Sequence, residues 1–344
     1  MTIAVRHSKA APVIAIIGCG AIAESFYFPT LSASSALDNL ILVDADLDRA
    51  RKASSRIGAK SSSSDYREVV SKVDGVIIAV PHYLHYPISK DFLEHGVHVL
   101  CEKPLTETPD KAHDMIRLAE SHNATITVNH TRRLFPSSMK VKELLAAGTI
   151  GKLKSISYFD GGEFNWPTAS GFYFDSKISK KGVLLDIGAH VIDLVCWWLG
   201  GKPHLVSSFN DSFGGIEAVA SVELEYQDCR CNIRLSRLSK LPNYYRIEGE
   251  NGIIEGGVYD ARSVSLVHPN GERKTFSSKG NEDSFARISK RLVDNFFRVI
   301  RNESTPLVSG QDVLHSIELI DEAYQRAKQF PMAWYEPREV KHVA

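Results

Sequence analysis

Three short stretches of this chain hold residue types, at spacings, that suit chemistry on a small molecule. The first is "HVLCEKPLTETPD" (His98 to Asp110), in which an apolar strand runs into Glu102-Lys103-Pro104. A strand that simply meets the surface ends this way, with a charge pair and a turn residue. The other reading is a lysine at the carboxyl end of a parallel strand, where open α/β sheets bind ligands. The second stretch, "LLDIGAHVIDLVCWWLGG", reads as one helix closed by Gly200 and Gly201. Leu184, Ile187, Val191, Leu194, Val195 and Trp198 form its apolar stripe, while Asp186, His190, Asp193 and Trp197 form a second one. A polar stripe is ordinarily a solvated face. Trp197 fits solvent poorly, however, and a histidine one turn from Asp186 suits a base with an orienting carboxylate.

The third stretch is "IIGCGAIAES", with Gly18-x-Gly20-x-x-Ala23 between a strand and a helix. The first glycine permits the tight turn and the second admits a pyrophosphate to the backbone. Ala23 still allows close helix–strand packing, and the free amides of the helix start favour an anion. Asp44 follows 21 residues after Ala23, at the end of the next strand, where a carboxylate accepts from adenosine ribose hydroxyls. Strand, glycines, helix and acid together predict a dinucleotide site. "AVPHYLHYP" borders the same crevice, and its His82 and His85 either touch the cofactor or serve the turn and helix start.

The elements that must position these residues are legible as a change of pattern. Apolar runs at Val13–Gly18, Leu40–Asp46, Asp74–Val80, Val97–Glu102 and Ala124–Val128 alternate with helical stretches. That pattern predicts a parallel, doubly wound sheet covered on both faces. "SSSS" (Ser61 to Ser64) reads as a weak edge strand and turn. Beyond residue 130 the strands alternate as in "ASVELEYQDCRCNIRLSRL", a half-exposed antiparallel pattern, and helices are expected at about 285–301 and 311–329. The expected division is a dinucleotide-binding domain over 1–130, with 1–11 a loose leader, and an α+β open-sheet domain over 131–344.

With 344 residues, 43% hydrophobic and 24% charged, the chain has the make-up of a soluble two-domain protein. Lys+Arg and Asp+Glu balance at 41 each, so no net field draws it to nucleic acid or an anionic membrane. No run reaches the ~20 apolar residues of a membrane span. Five cysteines without C-x-x-C or metal-ligand spacing predict free buried thiols in a reducing, cytoplasmic setting, and no metal site.

Taken together, the nucleotide motif, "VLCEKPLT", "NHTRRLFP", "LLAAGTIGKL" and "LLDIGAHVIDL" resemble the glucose–fructose oxidoreductase / inositol dehydrogenase (Gfo/Idh/MocA) family over nearly the whole length. The resemblance implies a Rossmann domain, a C-terminal open sheet and an active site between them. It also implies that Lys103, Asp186 and His190 face the reacting carbinol. Lys103 would donate to the substrate oxygen beside the nicotinamide, and His190 would take or supply the hydroxyl proton. Asp186 would orient the imidazole or hold a neighbouring hydroxyl, and Glu102 would position Lys103. The expected cofactor contacts are Gly18, Gly20, Ala21, Ile22, Asp44, Pro81, His85, Glu102 and Lys103. NAD is expected over NADP, because Asp44 would repel a 2′-phosphate; Arg49 either reaches such a phosphate or, as helix register more simply has it, is a surface residue. One departure from the family is that only Gly182 precedes the Asp186 helix, where many relatives have several glycines.

The implied activity is hydride transfer at a secondary hydroxyl or ketone of a sugar, cyclitol or sugar derivative. "GGEFNWPTASGFYFDSK" (Gly161 to Lys177) offers aromatic faces for a sugar ring, and Arg132, Trp166 and Tyr173 are the expected substrate contacts. A homodimer or homotetramer is expected through the open sheet. The alternatives are a catalytically silent dinucleotide-binding regulator, a dihydrodiol dehydrogenase and a redox-neutral glycosidase.

Overall fold

The computed structural model describes residues 12–32, 37–168, 170–213, 215–280 and 284–331; the expected leader lies outside them. Six parallel strands form the first sheet: β1 (Ile14–Ile17), β2 (Leu40–Val43), β3 (Ser61–Ser63), β4 (Gly75–Ile78), β5 (His98–Glu102) and β6 (Ile126–Asn129). Their order is β3-β2-β1-β4-β5-β6, the dinucleotide-binding arrangement, with the serine run as its edge strand. Each central strand buries both faces. Ala15 and Ile17 enter one core and Ile14 and Ile16 the other, as Val76 and Ile78 oppose Ile77. This is why these strands read as continuous apolar runs rather than alternating ones.

A nine-stranded mixed sheet follows. Its centre is Leu153–Gly161, flanked by Cys229–Ser236 in parallel and Tyr244–Gly249 antiparallel. One face is covered by the helix Val183–Leu199, which packs on Ile156, Tyr158, Val222, Ile233, Leu235 and Ile247. The other face is polar, where Arg230 pairs with Glu223 at 2.7 Å and Glu255 receives Arg246 at 2.9 Å and Arg273 at 2.6 Å. All five cysteines are free and buried.

The sequence boundary at 130 separates the two sheets but not all of their packing. The helix Phe285–Ile300 returns to the first sheet, where Ile288, Leu292, Val293 and Phe296 join the core under Ile14 and Ile16. Val308, Val313, Leu314 and Ile317 enter the core on the opposite face. The last expected helix is shorter than its pattern suggests. It begins as a 3₁₀ turn at Gln311–Val313, runs from Leu314 to Gln325, and gives way to a two-residue strand, Lys328–Gln329, paired with His204–Asn210. Among the described residues, no helix is long and apolar enough to cross a membrane.

Candidate active site

The carboxyl ends of β1, β2, β4, β5 and β6 open into a cleft of roughly 1280 Å³, closed on its other side by the segment 162–173, Arg237 and Tyr259, which follow strands of the second sheet, and by the Val183–Leu199 helix. At one end the turn after β1 carries Gly18 at φ +98°, where a Cβ would also collide with the carbonyl of Ala79. Only glycine serves there. Gly20, by contrast, has nothing within 4 Å of a Cβ position, which leaves room for a pyrophosphate against the backbone. Ala21, Ile22 and Pro81 line the same wall. Next to them, residues Ala23–Tyr27 take a π-helical turn before Phe28–Ser32 continues as α-helix.

Asp44 at the end of β2 lines the cleft with its carboxylate already ordered. Oδ2 accepts from the amide of Cys19 at 2.9 Å, and Oδ1 accepts from the amide of Asp46 and from Arg49 Nη1 at 3.0 Å. Arg49 is part-exposed, as helix register predicts, and pairs with Asp44.

Lys103 leaves the end of β5 at a cis Lys103–Pro104 bond and points into the joint between the two sheets. Its ammonium donates to Asp186 Oδ1 at 2.6 Å and to the Asp186 carbonyl at 3.2 Å. The second carboxylate oxygen, Oδ2, is taken by Arg237 Nη2 at 2.5 Å. Burial alone would raise the Asp186 carboxyl, but Lys103 and Arg237 outweigh it and hold the group well below the usual carboxylate range. Asp186 thus grips the two cations and does not orient His190, whose Nδ1 has no hydrogen-bond partner among the described residues. Burial, then the charges of Lys103, Arg132 and His130, push the His190 imidazole well below its ordinary value.

Glu102 meets Lys103 through that residue's backbone and charge, while its side chain is tied to two other residues. Its Oε1 accepts from Tyr27 Oη at 2.8 Å and Asn129 Nδ2 at 2.5 Å, and burial pushes its carboxyl up. His85 is displaced from the expected contact set. It is fully buried, with Nδ1 2.7 Å from the Pro104 carbonyl and Nε2 2.9 Å from the Val80 carbonyl, so both ring nitrogens face backbone and the protonated one donates to it. Burial pushes its imidazole down to about 4. The residue at the cleft is His82, packed edge-on against Phe172 and Tyr173 at 5.3 and 5.5 Å.

The expected substrate contacts Arg132, Trp166 and Tyr173 all line the cleft. Arg132 is anchored to Asp160 at 2.6 Å, and Asp160 also accepts from Tyr259 Oη at 2.7 Å. Trp166 is 40% exposed on the rim. The polar stripe of the Val183–Leu199 helix divides in function. Asp186 and His190 face the cleft, whereas Asp193 is buried in a two-pronged pair with Arg133 Nε and Nη2 at 2.7 and 2.6 Å. His130 Nδ1 lies 3.2 Å from Asp193 without hydrogen-bond geometry. Tyr27, Asn129, Asp160 and Arg237 were not singled out from sequence. Each is an isolated polar residue at a strand or helix end, with no spacing that announces a partner.

Residues 13–130 match a family model described as an oxidoreductase family with an NAD-binding Rossmann fold, and residues 138–255 match the GFO/IDH/MocA C-terminal domain. The chain is 24% identical to D-xylose 1-dehydrogenase (NADP(+)) 2 of Haloferax volcanii over 91% of its own length and 96% of the relative's. Levoglucosan dehydrogenase of Pseudarthrobacter phenanthrenivorans is 29% identical over a shorter stretch, 46% of this chain and 42% of that protein. A 3-ketoreductase from Actinomadura kijaniata, in complex with NADP and TDP-benzene, superposes with a TM-score of 0.80 at 21% identity, covering 92% of this chain and 99% of that one. A levoglucosan dehydrogenase in complex with NADH and levoglucosan superposes at 0.77 and 20% identity, covering 90% and 95%. These superpositions share the fold, and two family models met in order across more than half of the sequence fix the lineage: the chain belongs to the Gfo/Idh/MocA family of NAD(P)-dependent oxidoreductases.

Proposed function

We propose that this enzyme transfers a hydride between a nicotinamide dinucleotide and a secondary hydroxyl, or its ketone, on a sugar, cyclitol or sugar derivative. The observation that carries the reading is the meeting of Lys103, Asp186 and His190 in one cleft with the open backbone at Gly20 and the acid Asp44. The sugar class is supported by the names of the relatives that act on xylose and levoglucosan.

The dinucleotide, held by the Gly18–Ile22 turn, Asp44 and Pro81, supplies the hydride acceptor or donor. The chain's own residues handle the rest. In oxidation Lys103 donates a hydrogen bond to the carbinol oxygen, and its charge stabilises alkoxide character as the C–H bond breaks. His190, kept neutral by burial and its cationic neighbours, accepts the hydroxyl proton. The carbon gives up two electrons with the hydride, and the C–O bond becomes a carbonyl. Asp186 holds the ammonium in place. In reduction the proton returns from imidazolium to the oxygen.

Lys103→Ala should keep cofactor affinity and lose turnover by roughly two to four powers of ten, the usual span for a positioned donor. Full activity in that variant would remove the mechanism. Reduced-cofactor formation across sugars, inositols and dihydrodiols tests the substrate class, and turnover of dihydrodiols alone would overturn it.

NAD is proposed over NADP, because the Asp44 carboxylate faces the position of a 2′-phosphate. Arg49 opposes this by partly neutralising Asp44. Dissociation constants for the two cofactors decide, with tighter NADP binding refuting the choice. A homodimer or homotetramer through the open sheet is proposed as well. Since that face is laced with ion pairs, its association would be polar, and a monomeric mass by light scattering at micromolar concentration would exclude it.

A further inference from the structure

Arg237 stands at the substrate end of the cleft with no part in the hydride step described above. Its side chain is 6% exposed and lies against two rings, with its guanidinium carbon 5.3 Å from the centre of Phe164 and 5.1 Å from that of Tyr173. Nη2 donates to Asp186. Among the described residues its other N–H groups have no acceptor, and Nε is buried without one. A guanidinium carries five N–H donors and keeps its charge. Nε has almost no accessible surface, so the donors a ligand in the cleft can reach are those of the guanidinium's Nη end.

Asp186 is one carboxylate shared by two cations, Lys103 and Arg237. Arg132 has its own partner in Asp160, so neither member of that pair is free to balance them. Glu102 accepts from Tyr27 and Asn129, and burial pushes its carboxyl up. Glu163, on the same loop as Phe164, adds a further carboxylate to this end, so the case for an anionic ligand rests on the unmatched guanidinium donors rather than on net charge.

We propose that Arg237 is a specificity-determining residue that binds a carboxylate of the substrate, which makes the substrate a sugar acid such as an aldonate or uronate. This rests on the dehydrogenase reading given above. The guanidinium edge fits a carboxylate with parallel donors, and the flanking rings restrict its motion. Because Lys103 and Arg237 touch the two oxygens of one side chain, the bound carboxylate lies close along the carbon chain to the reacting carbinol. A single arginine edge beside Asp186 suits a singly charged group better than a phosphate.

The test is kcat/KM for matched neutral and acidic substrates, D-glucose against D-gluconate and D-glucuronate, with glucose 6-phosphate as a third arm. In the wild type the acid is favoured. Arg237→Gln should cut the acid-to-neutral ratio by roughly tenfold to a hundredfold, the range for a charged hydrogen bond, with the loss falling in KM for the acid. Arg237→Lys keeps the charge without the fork and should fall between. A wild type that prefers neutral sugars or the phosphate overturns the proposal. So does a ratio unmoved by Arg237→Gln, the result expected if Arg237 only orients Asp186. Calorimetric titration of the acids into cofactor-loaded protein separates the two readings. Acids that bind without turnover sink the dehydrogenase reading alone, whereas acids that do not bind sink this one.

Discussion

Among the individual residues, His190 shows how neighbours set a proton affinity. Its imidazole is buried among three positively charged or titratable groups, Lys103, Arg132 and His130, and only Asp186 opposes them. All but that last influence disfavour the imidazolium. A group with a lowered value stays unprotonated through the ordinary histidine range and gains its proton only well below ~6.5. Oxidation, which needs neutral His190, should therefore keep its rate on acidification past that point. NMR titration of the ring reads this directly, and Lys103→Met should move the titration upward by removing the most strongly acting charge. An imidazole that titrates at or above 6.5 in the wild type would contradict the proposed base. His190→Asn should lower kcat by about 10²–10⁴-fold with cofactor affinity kept. Residue identity made Lys103 and His190 legible, because motif and type coincide. It could not make Arg237 legible. The alternation of "CRCNIRLSRL" puts Arg230 and Arg234 outward, and nothing in the string shows that Arg237, one step past the strand, turns into the cleft.

Elements rather than residues fix the position of the Val183–Leu199 helix, whose start has no cap of its own. The cap comes from across the chain. Both carboxylate oxygens of Glu217 accept from the amide of Gly182 at 2.9 Å, Oε1 also accepts from Leu184, and Tyr324 Oη adds a bond at 2.5 Å. The amide of Val183 donates to the Glu217 carbonyl, which passes so close to Gly182 that a Cβ would collide with it. That collision is a physical reason for the one glycine retained before the helix. A carboxylate on free helix amides stabilises through both hydrogen bonds and the helix dipole. Glu217→Ala should cost about 3 kcal/mol, read as a shift of the urea midpoint, and should lower kcat because Asp186 and His190 ride on that helix. An unchanged midpoint would show the cap to be dispensable. Periodicity revealed this helix and its two stripes in the sequence. The capping acid is far away along the chain, and spacing carries no information about such a contact.

At the scale of the molecule, the parallel doubly wound sheet was legible from apolar runs alternating with helices, and so were the edge serines, whereas alternation does not choose the order β3-β2-β1-β4-β5-β6. The destination of the helix Phe285–Ile300 was not, since an amphipathic pattern shows which face is buried but not what buries it. Its four core residues lie under β1 and β4, contributed by the part of the chain after the second sheet. The order of synthesis gives this a consequence. A chain leaves the ribosome from its amino end, and domains generally fold in that order as they emerge. Here Phe26, Phe28 and Leu31 already pack on the side of Ile14 and Ile16, but its cover is complete only once residues up to 300 have been made. The nascent first half therefore waits with part of one greasy flank bare, which should make it a client of a holding chaperone. A fragment stopped at residue 280 should stay bound to such a chaperone in a stalled-ribosome pull-down, while one extended past 300 should be released.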